Sequence, residues 1–63
     1  MENLTKKEAE KILLNGGKVY LDNKDDYIKS IGLSNDVFCD NKGFLLTNWF
    51  YLYAPKNGYK EIN

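Results

Sequence analysis

The clearest hydrophobic pattern lies near the start of the chain. In "NLTKKEAEKILLNGG" (residues 3–17), Ala9, Ile12 and Leu13 recur at i, i+3 and i+4, while Lys6, Lys7, Glu10 and Lys11 lie mostly off that stripe. Thr5 and Glu8 have the spacing of a capping box, each side chain satisfying a free N–H at a helix start. Leu4 and Ala9 then occupy the positions of a hydrophobic staple. Asn15-Gly16-Gly17 ends the pattern, because glycine accepts the left-handed conformation just past a helix end. A helix over residues 5–15 is predicted.

The remaining pattern is β-like. "KVYL" (18–21) is a compact strand, and "DNKDD" (22–26) is a polar turn whose side chains bond their own backbone. "YIKSIGL" (27–33) admits two readings, a short helical turn capped by Asp25 or Asp26, or an extended segment interrupted at Gly32; the extended one is preferred. "DVFCD", the turn "DNKG" (40–43) and the returning "FLL" read as a hairpin, and Thr47-Asn48 breaks the run. Next comes Trp49–Tyr53, and after the turn "APKNG" a last, edge-like strand "YKEI". A helix followed by consecutive strands predicts a single α+β domain over residues 1–63. In it one N-terminal helix packs on a small antiparallel sheet, a meander of about four strands.

The row "NWFYLY" (48–53) departs from the alternation of a strand with one wet face. Read as a strand, it directs Phe50 and Leu52 to the core beneath the helix, and Trp49, Tyr51 and Tyr53 to the other face. That second face is covered either by other parts of the chain or by a subunit or partner, since Trp and Tyr are enriched at interfaces.

Sixty-three residues lie near the lower limit for folding without disulfides or metal, so three Phe, five Tyr and one Trp matter to the core. The single cysteine, Cys39, rules out an intramolecular disulfide and fits a reducing cytosol, with Cys39 an ordinary strand residue. No apolar run approaches a membrane span, and the N-terminus does not read as a signal peptide. The nine basic residues are all lysines, balance nine acidic ones, and leave no Arg or His. A neutral chain without Arg is a poor candidate for duplex DNA or RNA, and the absence of His removes the commonest general base and transition-metal ligand.

Three constellations raise chemistry. Gly16-Gly17-Lys18 has neither the spacing nor the strand-then-helix order of a phosphate loop, and a helix C-cap explains it. "DNKDD" lacks the glycine and distal glutamate of a calcium loop. Between residues 21 and 40, however, Asp22, Asp25, Asp26, Asp36 and Asp40 face only Lys24 and Lys29, so the neutral total conceals an acidic middle. Such carboxylates form either a solvated surface or a complement to a basic pocket on a partner, one that normally holds nucleic-acid phosphate. A catalytic carboxylate pair would need a cleft that one sheet and one helix do not enclose, so no enzyme is expected.

Glu8, Ala9, Leu13, Gly16 or Gly17, Lys18 and Val19 resemble the opening of small phage proteins whose first helix reads E-A-x-x-x-L-x-x-G before Lys-Val and a strand. Asn48-Trp49-Phe50-Tyr51 is similar in position to their closing Asp-Trp and strand, with Asn in place of Asp. The named group that this resembles is the Thoeris anti-defence proteins, which sequester a cyclic nucleotide signal. The Arg and Trp usual after the first strand are replaced by "YLDNKDD", so no nucleotide pocket carries over.

The resemblance implies a phage or prophage accessory protein. The expected function is a non-enzymatic, anti-CRISPR-like inhibitor that binds a host defence protein in the host cytoplasm, without cofactor, metal, membrane or direct nucleic-acid contact. Its expected binding residues are Asp22, Asp25, Asp26, Tyr27, Asp36, Asp40, Trp49, Tyr51 and Tyr53. Two other readings are an oligomeric sponge for a cyclic nucleotide and a structural protein that assembles as a homo-oligomer.

Overall fold

The structure, a computed structural model, describes residues 2–21, 25–53 and 58–61. In chain order its elements are β1 (Glu2–Leu4), α1 (Lys6–Leu14), β2 (Lys18–Tyr20), β3 (Tyr27–Ile31), β4 (Val37–Asp40), α2 (Thr47–Leu52) and β5 (Tyr59–Glu61). The strands form one antiparallel sheet in the order β1-β5-β2-β3-β4, which makes the domain α+β as expected.

α1 forms as its sequence dictates. Thr5 Oγ1 accepts the Glu8 backbone N–H at 3.2 Å, and the Glu8 carboxylate accepts the Thr5 N–H at 3.0 Å. The Thr5 backbone bond, aided by the Thr5 hydroxyl, holds the Glu8 carboxyl below its ordinary range. At the other end Gly17 N–H bonds Ile12 O and Gly16 N–H bonds Leu13 O, both at 2.9 Å, the paired bonds of a Schellman turn. This requires Gly16 at φ +87°, a conformation open to glycine at little cost. Ala9 and Leu13 are fully buried, with Ile12 beside them.

The sheet is more than a meander. β2, β3 and β4 follow one another, but β5 enters between β1 and β2, pairing Leu4 with Tyr59, Asn3 with Lys60, and Tyr20 with Lys60. The last strand is therefore interior rather than an edge, and the unexpected β1 is the edge beside it. The cause is burial: Tyr59 is almost wholly enclosed, which an edge position in so small a domain would not provide.

The largest correction concerns residues 47–53. The expected return strand at 44–46 reduces to one bridge, Cys39 to Leu45, and Thr47–Leu52 is helical. Leu46 N–H bonds Phe38 O at 2.8 Å, and Phe38 N–H bonds Thr47 Oγ1 at 2.9 Å. With the β4 edge thus satisfied by a loop and a side chain, the chain turns into α2. Leu46, Trp49, Phe50 and Tyr53 stand at i, i+3, i+4 and i+7, a helical stripe rather than a strand alternation. Phe50 is buried, whereas Leu52, expected in the core, is 73% exposed, because two helical residues are separated by roughly 200° of rotation.

The core joins Ala9, Leu13, Val19, Ile28, Phe38, Phe50 and Tyr59. α1 crosses β1, β5, β2 and β3 while α2 packs on β4, and both contribute to this one core, so they cover the same sheet face. Strand parity assigns Leu4, Tyr59, Val19, Ile28 and Phe38 to that face, and Asn3, Lys60, Lys18, Tyr20, Tyr27, Lys29, Ile31 and Val37 to the helix-free one.

Two outcomes follow for stability. Phe50→Ala is expected to cost about 3–5 kcal/mol by denaturant unfolding, against under about 0.5 kcal/mol for Leu52→Ala. Burial also raises the Tyr59 phenol above its ordinary pKa. The unfolded chain therefore ionises first, near pH 10. Stability is full below about pH 10 and falls as pH rises through the folded value, a loss that should shrink in Tyr59→Phe when melting is followed across that range.

Candidate protein-binding surface

The β3–β4 turn presents the most exposed large apolar side chain among the described residues. Gly32, at φ +88°, and Asn35, at φ +54°, bracket a turn closed by an Asn35 N–H to Gly32 O bond at 3.4 Å. Glycine meets no steric penalty there, and asparagine is among the side chains that tolerate it best. Leu33, between them, is completely exposed. Asn35 Nδ2 reaches Leu14 O at 3.4 Å and ties the turn to the end of α1. Directly behind the turn, Ile31 and Val37 are cross-strand partners, 41% and 36% exposed. Leu14, Ile31, Leu33 and Val37 thus lie at one end of the molecule, Leu14 on the helix side of the sheet and Ile31 and Val37 on the helix-free side.

Acidic and aromatic groups edge this end. The Tyr51 ring on α2 lies 5.9 Å from Phe38 and 5.4 Å from Phe50 by centroid, while Lys6 Nζ donates to Tyr51 O at 2.9 Å. Interaction of its hydroxyl with the nearby Glu10 carboxylate, with some burial and the charges of Glu10 and Asp36, raises the Tyr51 phenol. Three elements distant in sequence therefore converge: α1 through Glu10, the approach to β4 through Asp36, and α2 through Tyr51. Asp36 and Tyr51 belong to the expected binding set.

The other expected residues are dispersed. Asp22 lies outside the described residues. Asp25 and Asp26 are exposed on the β2–β3 connection, where Asp26 O accepts the Leu21 N–H at 2.9 Å, and Tyr27 opens β3 on the helix-free face. Asp40 sits at the same end of the sheet, opposite Ile28. Its Oδ1 accepts the N–H groups of Lys42 and Phe44, both at 2.9 Å, so its carboxylate holds the 40–43 turn. The acidic middle is thereby divided between two ends of β3 and β4. Trp49 is partly buried against the core, with Tyr53 6.4 Å away one helical turn on. The expected common face of Trp49, Tyr51 and Tyr53 does not form, because α2 turns Tyr51 to a different side.

Leu33 was absent from the expected set. Its signal was an isolated large apolar residue in a polar turn, "GLSND", directly after a glycine. Among the described residues, no group of three or more His, Cys, Asp or Glu side chains is placed to hold a metal ion, and no helix is long and apolar enough to cross a membrane. No protein-family model, curated protein or solved structure matches the chain.

The Glu10–Tyr51 contact has a spectroscopic consequence. A neutral phenol donating to a carboxylate is stabilised in its protonated form, so Tyr51 ionises above its ordinary value of about 10. Glu10→Gln should lower the Tyr51 midpoint in an ultraviolet titration, with Tyr51→Phe identifying the transition.

Proposed function

We propose that the protein is a non-enzymatic binding protein that inhibits by occupying a surface of a host defence protein in the cytoplasm. The working surface is centred on the Leu33 turn, with Leu14, Tyr51, Glu10 and Asp36 on its helix side and Ile31 and Val37 on its helix-free side. The observation that carries the reading is Leu33, an apolar side chain fully in water on a turn that two 3.4 Å hydrogen bonds from Asn35 close and join to α1. Leaving a large apolar group there offers the fold nothing. On binding, its burial in a partner's pocket would supply an anchor, with the neighbouring apolar groups excluding water and the carboxylates meeting a basic rim.

The anti-defence setting is supported by the resemblance in α1 and β2, which here follow in the helix-then-strand order of those phage proteins. Asn48–Tyr51, matched there to a closing strand, is helical in this chain and adds no support.

The test runs the tagged protein and its Leu33→Asp variant in parallel through a host lysate at low salt. A stoichiometric protein recovered by the parent and lost by an equally stable variant is the expected result. No stoichiometric protein, or equal recovery by both, overturns the reading. Light scattering on the purified chain separates the homo-oligomeric alternative, in which Leu33→Asp would dissociate a defined oligomer.

A further inference from the structure

The helix-free sheet face has a composition that the neutral net charge conceals. At described strand positions it carries Lys18, Lys29 and Lys60 with Tyr20 and Tyr27, beside Asn3, Ile31, Val37 and the buried Cys39, and no carboxylate; Asp40 and Glu61 fall on the other parity. Lys18 and Lys29 are direct cross-strand partners, an arrangement that disfavours folding through like-charge repulsion. Beside them Tyr20 and Tyr27 are also partners, their rings 5.9 Å apart at 62°, with Lys18 Nζ 4.7 Å from the Tyr27 centroid. Lys60 stands opposite Tyr20 on the other side and donates to Asn3 Oδ1 at 2.6 Å. On this face Lys and Tyr thus follow one another along β2 and along β3, and Lys60 of β5 flanks the tyrosine row.

We infer that this face binds single-stranded nucleic acid, with a base stacked on the Tyr20–Tyr27 pair and phosphates held by Lys18, Lys29 and Lys60. An open antiparallel sheet whose central strands display aromatic rings is a stacking platform for unpaired bases, and flanking cations follow the sugar–phosphate chain. The Lys18–Tyr27 contact sets a phosphate-binding charge within one nucleotide of the stacking surface. Asp25 and Asp26 bound the patch beyond the tyrosines, so the phosphate track runs from the ring pair toward Lys29 and across to Lys60. A neutral total and the absence of Arg disfavour duplex DNA or RNA, whereas single-strand binding depends on how the lysines are distributed. The lysine–tyrosine patch shares no residue with the Leu33 end, although Ile31 continues the same sheet face two residues beyond Lys29; the two readings are tested by different variants.

Fluorescence anisotropy of the full chain with short labelled dT and rU oligonucleotides tests the inference, and the two probes separate DNA from RNA as the preferred strand. Binding at low salt should weaken as salt rises, with a log–log slope of about −2 for three phosphate contacts. Tyr20→Ala should weaken binding by about tenfold or more, with Tyr20→Leu as the variant that keeps a strand-compatible side chain without a ring. Lys29→Gln gives the most discriminating result. It should reduce both the affinity and, by about 0.7, the salt slope, while leaving the melting temperature equal or higher because the Lys18–Lys29 repulsion is relieved. Leu33→Asp should leave oligonucleotide binding unchanged. The inference is overturned by absence of binding at low salt, by undiminished binding in both Tyr20→Leu and Lys29→Gln, or by polyglutamate competing as well as an oligonucleotide does.

Discussion

The contact on which the rest of the molecule depends is the placement of Phe50 between Phe38 and Tyr59. Both centroid distances are 5.1 Å, one edge-on at 74° and one tilted at 40°. Phe38 belongs to β4 and Tyr59 to β5, with β2 and β3 between them in the sheet. A single helical side chain therefore links strands that make no ladder with each other. Aromatic pairs of this kind contribute about 0.5–1.5 kcal/mol each beyond the area they bury. In a chain of 63 residues, whose whole margin is of order 0.05–0.15 kcal/mol per residue, two such pairs are a large share. The short α2 exists to deliver that ring.

Delivering it also resolves the exposed side of β4. Asp40 N–H bonds Phe44 O, Leu46 N–H bonds Phe38 O, and Phe38 N–H bonds Thr47 Oγ1. The same segment that brings Phe50 into the core thus occupies backbone groups that would otherwise invite another strand, a hazard of open sheet edges. Closing the edge in this way leaves Phe44 and Leu45 in water. Both proposed binding surfaces accordingly rest on side chains, on the β3–β4 turn and on the helix-free face, rather than on backbone pairing at β4.

What the sequence discloses follows from how local each determinant is. α1 is legible because its cap, its staple positions and its terminal glycines lie within one short stretch, and every one of those signals agrees. The insertion of β5 between β1 and β2 is not, since nothing in "ENL" or "YKE" declares that the two ends of the chain pair. The misreading of "NWFYLY" has a different origin. Its five consecutive large side chains mask both periodicities, and the helical one emerges only when Leu46 is counted with Trp49, Phe50 and Tyr53. Asp36 and Tyr51 were recognisable as candidates by residue type. Their association with Glu10 depends on α2 being a helix beside α1, so it was out of reach once that segment was read as a strand.

The distribution of charge extends this reasoning to function. A chain with equal numbers of acidic and basic residues has every opportunity to place Lys opposite Glu across a sheet, where such a pair adds roughly 0.2–1 kcal/mol. Here Lys18 instead faces Lys29, and one of these ammonium groups is held against the Tyr27 ring. The core gains nothing from the arrangement, because both lysines point away from it. On the proposed reading, a nucleic-acid backbone meets that unfavourable charge. The same logic applies to Leu33, whose exposure is likewise unexplained by folding. The two features are centred on different residues and differ in chemistry, one cationic and aromatic, the other apolar with an acidic edge, so the two proposals call for different ligands.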